Sequence, residues 1–182
     1  MKISIAGSGY VGLVTAAVLA HIGHEVTCVD PDQRKISLLK SGKCPIFEQG
    51  LPELLDKNRE RLHFTDSYAD AYRDAEVIFI AVGTPEKADG SANLKYVYTA
   101  VQQVAESVER DCVVVLKSTV PIGTNDKIQQ LLVNNLVNNV KVEVVSNPEF
   151  LSQGTAVKDM LEASRIVIGV ESDYARKVME QV

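Results

Sequence analysis

A run of six consecutive apolar residues, Val77–Val82, constrains the fold more than any other feature of this sequence. A second run of the same kind covers Cys112–Leu116. A strand with one solvated face alternates apolar and polar residues, whereas a strand in a parallel sheet is apolar on both faces because helices cover each face. These runs therefore predict central strands of a parallel sheet between two helical layers.

The rest of the chain alternates short β-type runs with longer segments of helical spacing. A short strand-like run begins at His63, and the other β-type runs are Lys2–Ala6, Glu25–Val29, Val142–Val145 and Ile166–Val170. The helical segments are Val11–His21, Asp32–Lys40, Leu94–Val108, Asn125–Val137 and a last helix from about Asp173. This alternation predicts a doubly wound, Rossmann-like α/β fold with a mostly parallel sheet and helices on both faces. We expect one domain over residues 1–182.

Composition and charge exclude several classes of protein. The formal net charge is −5, and an acidic protein has no general attraction for nucleic acid or for an anionic membrane. No apolar run approaches the ~20 residues of a membrane helix, and the first residues enter a strand directly, which indicates no signal peptide. Three cysteines without Cys-x-x-Cys spacing predict neither a disulfide framework nor a metal site, and favour the reducing cytoplasm.

A glycine-rich turn, Gly7-Ser8-Gly9-Tyr10-Val11-Gly12, joins the first predicted strand to the first helix. Gly7 permits a tight turn, Gly9 lets the backbone approach a pyrophosphate, and Gly12 allows close packing of the helix on the strand. The start of the helix supplies free N–H groups and partial positive charge. The turn predicts a dinucleotide-binding loop; the alternative is a turn of the same composition that binds no ligand.

Asp30 stands at the end of the second predicted strand, in the position of an acidic residue that accepts hydrogen bonds from the ribose hydroxyls of an adenosine. A carboxylate there would repel a 2′-phosphate, which favours NAD over NADP. The nearby cations Arg34 and Lys35 weaken that preference. As an alternative or additional role, Asp30 could cap the helix that follows Pro31.

Three later strands end in turns that contain proline and polar residues. The turns are Gly83-Thr84-Pro85, Lys117–Thr124 and Ser146–Leu151. In a parallel sheet all carboxyl ends lie on one edge, and ligands bind in the crevice outside that edge. Each turn alone is more simply explained as structural, but together they predict that five polar side chains converge with the glycine turn: Thr84, Ser118, Thr119, Asn147 and Glu149.

Taken in order, these motifs resemble the N-terminal domain of the UDP-glucose/GDP-mannose dehydrogenase family. The resemblance covers essentially the whole chain and is carried by Gly7-x-Gly9-Tyr10-Val11-Gly12, Val82-Gly83-Thr84-Pro85, Ser118-Thr119-Val120-Pro121-x-Gly123-Thr124, Asn147-Pro148-Glu149-Phe150-Leu151 and Ser164-Arg165-Ile166-Val167-Ile168-Gly169. It implies an enzyme that uses two NAD to oxidise a sugar C6 alcohol, through an aldehyde and a cysteine thioester, to a carboxylate. UDP-glucose is the implied substrate and a homodimer the implied assembly.

Two kinds of alternative remain open: other substrates for the same type of enzyme, and a protein that is not an enzyme. GDP-mannose and UDP-N-acetylmannosamine are close alternatives as substrates, because the substrate is chosen mostly by a part of the family's enzymes that this sequence does not contain. A module that binds NAD without reacting is the alternative from another class.

The resemblance also implies roles for individual residues. The implied cofactor set comprises Gly7, Gly9, Tyr10, Val11 and Gly12 in the glycine turn, Asp30 and Lys35 near the adenosine ribose, Gly83, Thr84 and Thr119 on the nicotinamide side, and Gln153. The implied substrate set comprises Glu149, Phe150, Leu151, Ser152 and Gln153. Thr119 and Glu149 are the candidate catalytic residues, which would handle the water for thioester hydrolysis.

Two features depart from the family pattern. Gln153 stands where the family usually has Glu, which keeps an acceptor for a ribose hydroxyl but argues against an acid–base role. The nucleophilic Cys, the Lys and the Asn of the family lie beyond residue 182, and none of Cys28, Cys44 or Cys112 matches the nucleophile. We therefore expect this chain to hold the cofactor half, to lack the central helix and the C-terminal sugar-binding domain, and to be inactive alone.

Overall fold

The computed structural model describes residues 1–182 and contains six strands and eight helices. The strands are β1 Lys2–Ala6, β2 Glu25–Val29, β3 Leu62–Thr65, β4 Val77–Ile80, β5 Cys112–Leu116 and β6 Val142–Ser146. The helices are α1 Tyr10–His21, α2 Gln33–Lys40, α3 Leu51–Lys57, α4 Tyr68–Tyr72, α5 Lys95–Ser107, α6 Thr124–Asn135, α7 Ala156–Leu161 and α8 Asp173–Met179, with a 3₁₀ turn at Arg59–Arg61.

All six strands are parallel and form one sheet in the order β3-β2-β1-β4-β5-β6. The chain moves outwards from β1 to β3, crosses to the other side of β1, and moves outwards again from β4 to β6. The order reverses between β1 and β4, and in such sheets the ligand crevice lies outside the carboxyl ends of the strands at that point. The doubly wound α/β fold expected from the sequence is confirmed.

Strand β4 shows why the longest apolar run does not alternate. Val77 and Phe79 pack into the core on the α1 side of the sheet, whereas Ile78 and Ile80 pack into the core on the α5 side. All four side chains are at most 2% exposed. Burial of each such side chain contributes roughly 1.5–3 kcal/mol, so this strand is stable only when helices cover both faces.

Helix α1 is enclosed by protein around its circumference. Residues Gly12–Ala20 of this helix are all buried, because it packs on β1 and β2 and is covered by α3 and α7. A helix that is apolar all round requires a core on every side. This packing fixes the start of α1, and with it the glycine turn, at the carboxyl edge of the sheet.

The prediction of a strand at Ile166–Val170 is wrong. The segment makes one antiparallel bridge, between Gly169 and Ser146, and the chain then turns into α8. Ile166 is 72% exposed, so its apolar character does not reflect burial in a sheet. Helix α7 was not predicted, because six residues are too few to establish a helical period.

Candidate functional site

The glycine turn between β1 and α1 needs two of its glycines for internal reasons. Gly7 has a φ of 100°, and a Cβ there would lie 2.8 Å from the carbonyl oxygen of Ala81. Side chains rarely tolerate either condition. A Cβ on Gly12 would lie 2.0 Å from the carbonyl oxygen of Gly7, so only glycine lets α1 pack this closely on the turn.

The fold imposes no such requirement for glycine at Gly9. Its φ is −79°, which any residue adopts, and apart from its chain neighbours no atom lies within 4 Å of its Cβ position. No side chain caps α1, and the first turn of that helix holds no acidic residue. The first helical hydrogen bond runs from the Leu13 amide to the Gly9 carbonyl oxygen, which leaves the amides before Leu13 without helical partners. Free amides, helical partial charge and a missing side chain together fit a pyrophosphate.

Asp30 lies at the carboxyl end of β2, against the glycine turn. Its Oδ2 accepts hydrogen bonds from the Ser8 amide at 2.8 Å and the Ser8 hydroxyl at 2.7 Å, and its Oδ1 accepts one from the Asp32 amide at 2.9 Å. Lys35 Nζ lies 3.8 Å from Oδ2. Burial raises the pKa of Asp30, but these hydrogen bonds and the Lys35 charge lower it by more, so the net pKa is below its usual value.

The Asp30 carboxylate is therefore charged and held in place by the protein itself. Oδ1 accepts one hydrogen bond and retains a lone pair for a second donor, such as a ribose hydroxyl. The role of helix cap belongs to Asp32, whose Oδ1 accepts hydrogen bonds from the Arg34 and Lys35 amides at the start of α2. The structure thus assigns to Asp32 the capping role that the sequence left open for Asp30.

Hydrogen bonds tie together the ends of β4, β5 and β6. The Ser118 hydroxyl donates to the Val82 carbonyl oxygen at 2.7 Å. The Asn147 side chain donates to the Val167 carbonyl oxygen at 2.9 Å and accepts from Lys117 Nζ at 3.1 Å. Ser118 and Asn147 lie at the predicted edge of the sheet, but their polar groups form hydrogen bonds within the protein. We therefore assign them a structural role, in which they hold the ends of the strands together.

Three other expected residues keep accessible side chains at this edge: Thr84 and Glu149 are half-buried, and Thr119 is exposed. Glu149 Oε2 accepts a hydrogen bond from the Leu151 amide at 2.6 Å. Lys117, which the sequence reasoning missed, is 6% exposed, and burial lowers its pKa against the opposing charge of Glu149. A lysine directly after a strand is usually a solvated turn residue, so the sequence gives no sign that this ammonium group is buried.

The candidate substrate residues follow β6 in a surface loop. Phe150 is 58% exposed, and the guanidinium carbon of Arg165 lies 5.6 Å from its ring centre. Ser152 and Gln153 are exposed and Leu151 is half-buried. Glu149, Phe150 and Leu151 line a groove of about 590 Å³, a volume in the range of small-molecule sites.

Tyr10 connects this loop to the glycine turn. The Tyr10 side chain reaches from the first residue of α1 to the loop, where its hydroxyl lies 2.9 Å from the Ser152 carbonyl oxygen. The candidate cofactor and substrate residues are therefore brought together at one edge of the sheet. A second contact of the Tyr10 hydroxyl, with the buried carboxylate of Glu48, was also missed by the sequence reasoning.

None of the three cysteines is an activated nucleophile. Cys28 and Cys112 are fully buried, and burial raises the pKa of each thiol to about 12. Cys44 is half-buried and donates to the Ile46 carbonyl oxygen at 3.1 Å, and burial raises its pKa as well. The thiolate is the reactive form, so none of these groups is suited to attack an aldehyde.

The structure contains neither a metal-binding cluster nor a helix of membrane-spanning character. No three His, Cys, Asp or Glu side chains are grouped closely enough to hold a metal ion. None of the eight helices has both the length and the apolar character needed to cross a membrane.

Comparison with known proteins identifies relatives over the whole chain. The sequence profile of the UDP-glucose/GDP-mannose dehydrogenase family, NAD binding domain, matches residues 1–182. The UDP-glucose 6-dehydrogenase YwqF of Bacillus subtilis (strain 168) is 48% identical over 184 residues, which cover 100% of this chain and 42% of that protein. The chain spans about two fifths of the length of the UDP-glucose 6-dehydrogenases it matches.

Solved structures agree with the sequence comparison. A UDP-glucose dehydrogenase from the hyperthermophilic archaeon Pyrobaculum islandicum superposes with a TM-score of 0.93 at 38% identity, over 97% of this chain and 42% of that one. A GDP-mannose dehydrogenase from Pseudomonas aeruginosa superposes with a TM-score of 0.93 at 39% identity, over 100% of this chain and 43% of that one. The chain belongs to the UDP-glucose/GDP-mannose dehydrogenase family, of which it forms the NAD-binding domain.

Proposed function

We propose that this chain binds NAD for an enzyme that oxidises the C6 alcohol of UDP-glucose to the carboxylate of UDP-glucuronate, with two NAD reduced. The observation that carries the proposal is the open space at the Gly9 Cβ position, beside the free amides of α1 and the fixed Asp30 carboxylate. The 48% identity to a UDP-glucose 6-dehydrogenase supports UDP-glucose as the substrate. When bound, NAD supplies the hydride acceptor.

The glycine turn and the end of β2 are proposed to hold the adenosine half of the cofactor. The backbone of the turn, Gly7, Gly9, Tyr10, Val11 and Gly12, holds the pyrophosphate. Asp30 and Lys35 hold the ribose.

The end of β4 is proposed to hold the nicotinamide half, together with Thr119 and Gln153. Gly83 resembles Gly9 in that no atom lies within 4 Å of its Cβ position, so a ligand could approach its backbone closely. Thr84 supplies a hydroxyl on that side.

The loop after β6 is proposed to bind the nucleotide sugar, through Glu149, Phe150, Leu151, Ser152 and Gln153. Thr119 and Glu149 would position the water that hydrolyses the thioester. The charge of Glu149 favours the ammonium form of the buried Lys117, against the effect of burial on the pKa of that lysine. An ionised Glu149 can accept a proton or a hydrogen bond from water.

The complete protein is proposed to be a cytoplasmic homodimer whose nucleophilic cysteine, central helix and sugar-binding domain lie outside residues 1–182. All three cysteines of this chain are free, which fits a reducing compartment. The assembly and the additional domain rest on the family resemblance. GDP-mannose is the second candidate substrate, since a GDP-mannose dehydrogenase superposes with a TM-score of 0.93.

The test follows NADH absorbance when the complete protein is mixed with NAD and one sugar nucleotide at a time. UDP-glucose should yield two NADH per molecule and UDP-glucuronate as the product. Faster oxidation of GDP-mannose or UDP-N-acetylmannosamine would contradict the substrate assignment. Tight NAD binding without oxidation of any of the three would instead support a binding module.

A further inference from the structure

Three segments that are distant in sequence meet at the carboxylate of Glu48. The Tyr10 hydroxyl of the glycine turn contacts this carboxylate, and the Gly154 amide donates to its Oε2 at 2.7 Å. Glu48 is only 2% exposed, although it lies in the irregular stretch between α2 and α3. Buried carboxylates are costly unless specific partners compensate for the lost water, so these contacts account for its position.

The Tyr10 hydroxyl makes further contacts with the same loop. It accepts a hydrogen bond from the Gly154 amide at 3.1 Å and lies 2.9 Å from the Ser152 carbonyl oxygen. Burial and the hydrogen bond to Glu48 raise the pKa of Tyr10 to about 12, so the proton stays on the phenol. A hydrogen bond from a hydroxyl to a carboxylate is stronger than one to a neutral carbonyl, which makes Glu48 the dominant partner.

The charge of Glu48 also matters at the start of α7. Burial raises the pKa of Glu48, but the Tyr10 hydroxyl and the amides of Gly154, Ala156 and Val157 lower it by more. Oε1 is buried and makes no hydrogen bond of good geometry, so its interaction with the helix start depends on negative charge. A neutral amide of the same shape would not replace it.

We propose that Glu48 and Tyr10 form a latch that holds the backbone of Ser152–Gly154 against the glycine turn and so positions Gln153 for the nucleotide sugar. Gln153 lies between the two residues whose backbone groups the latch contacts. Glu48 is buried and belongs to neither proposed ligand set, so it is a positioning residue. The inference rests on the proposed function, in which this loop binds the sugar nucleotide next to NAD.

The test compares Glu48→Gln and Tyr10→Phe in the complete protein with matched controls on the exposed face of α5, Glu106→Gln and Tyr96→Phe. The Glu48→Gln variant should raise KM for UDP-glucose about tenfold, the effect of losing a charged hydrogen bond. Its NAD dissociation constant should rise by less than its KM, because Glu48 lies outside the proposed pyrophosphate and ribose sites and acts on the cofactor only through Gln153. The controls should leave both values unchanged.

Hydrogen exchange at the Gly154 amide gives a readout that needs no ligand. This amide should exchange about tenfold faster in Glu48→Gln than in Glu106→Gln, because its acceptor loses charge. The double variant Tyr10→Phe/Glu48→Gln should be less impaired in KM than the product of the single effects, since both changes open one latch.

Two results would overturn the latch. The first is an unchanged KM and an unchanged Gly154 exchange rate in Glu48→Gln. The second is a parallel rise of KM and of the NAD dissociation constant, which would indicate general damage to the domain. An unmodified protein that oxidises no nucleotide sugar would overturn the proposed function, and with it the substrate-positioning role of Glu48.

Discussion

The carboxyl edge of the sheet has two sides: the glycine turn with the end of β2, which we propose binds the cofactor, and the loop after β6, which we propose binds the substrate. Different contacts hold the two sides in place. On the cofactor side, Ser8 and Asp30 are 0% and 7% exposed and are bonded to each other through the Ser8 amide and hydroxyl. On the other side, Phe150 and Ile166 are 58% and 72% exposed, and the loop after β6 is tied back through Tyr10. The proposed cofactor side is thus organised by the sheet and α1, whereas the proposed substrate side is tied to it through Tyr10.

The largest expected effect is the separation of NAD binding from catalysis in the isolated chain. The isolated chain of residues 1–182 should bind NAD and yet produce no NADH from UDP-glucose. Its thiols are protonated at neutral pH and two of them are fully buried, so none can trap an aldehyde. Calorimetric titration measures the binding and NADH absorbance measures the turnover.

A positive rate in that assay would locate the chemistry within these residues. Sustained NADH production by the isolated chain that disappears in Cys44→Ser would show that the half-buried thiol is the nucleophile. The complete protein serves as the positive control.

The next largest effect is expected at Gly9. Gly9→Val should abolish measurable NAD binding while leaving the thermal midpoint unchanged, because no protein atom lies within 4 Å of the new Cβ. Gly12→Ala, in the same turn, should differ by lowering the stability of the domain. Its Cβ would lie 2.0 Å from the Gly7 carbonyl oxygen, so the domain should lose about 1–3 kcal/mol or more of unfolding free energy. Normal NAD titration of Gly9→Val would disprove the pyrophosphate assignment.

Substitution of Asp30 should have an intermediate effect on NAD binding. Asp30→Ala should weaken NAD binding by roughly 1–3 kcal/mol, the range for losing charge-assisted hydrogen bonds. Because Asp30 also anchors Ser8, the variant should lose stability as well, whereas the exposed Asp66→Ala should lose neither. Identical titration curves of the unmodified protein with NAD and NADP would contradict the ribose role.

Ser118 and Thr119 allow a smaller, paired test. Ser118→Ala should lower the unfolding free energy by about 1 kcal/mol, because the Ser118 hydroxyl bonds the Val82 carbonyl oxygen. Thr119→Ala should leave stability unchanged, since the residue is exposed, and should slow turnover of the complete protein. Denaturant unfolding and initial rates separate the two outcomes, and the reverse pattern would exchange the roles assigned here.

The smallest effect is expected in acid unfolding, because Asp30 is one of 24 acidic residues. Its folded pKa is below the usual value, so its contribution to stability is present above the unfolded pKa of about 3.9 and is lost as the pH falls through the folded pKa. The unfolding free energies of the unmodified protein and Asp30→Asn should therefore converge as the pH falls below about 4. A constant difference down to the acid limit would exclude this linkage.

The sequence predicted most reliably where a local pattern has one structural solution. The run Val77–Val82 required a doubly covered strand, and β4 occupies Val77–Ile80 of it. The run Ile166–Val170 has a similar apolar pattern, yet it meets the edge strand β6 only at Ser146 and forms a single bridge. No local pattern reports whether two segments lie alongside each other over enough residues to pair as strands.

The sequence by itself determined the parallel sheet, the glycine turn and the acidic residue after β2, because apolar periodicity and the demands of a tight turn act over a few neighbouring residues. Only the tertiary structure decided that Ser118 and Asn147 bond the protein internally, that Lys117 is buried, and that Glu48 joins Tyr10 to Gly154. These roles depend on contacts between residues that are from 20 to 106 positions apart. Burial and hydrogen-bond partners at that range arise from how the strands and helices pack, which no short stretch of sequence encodes.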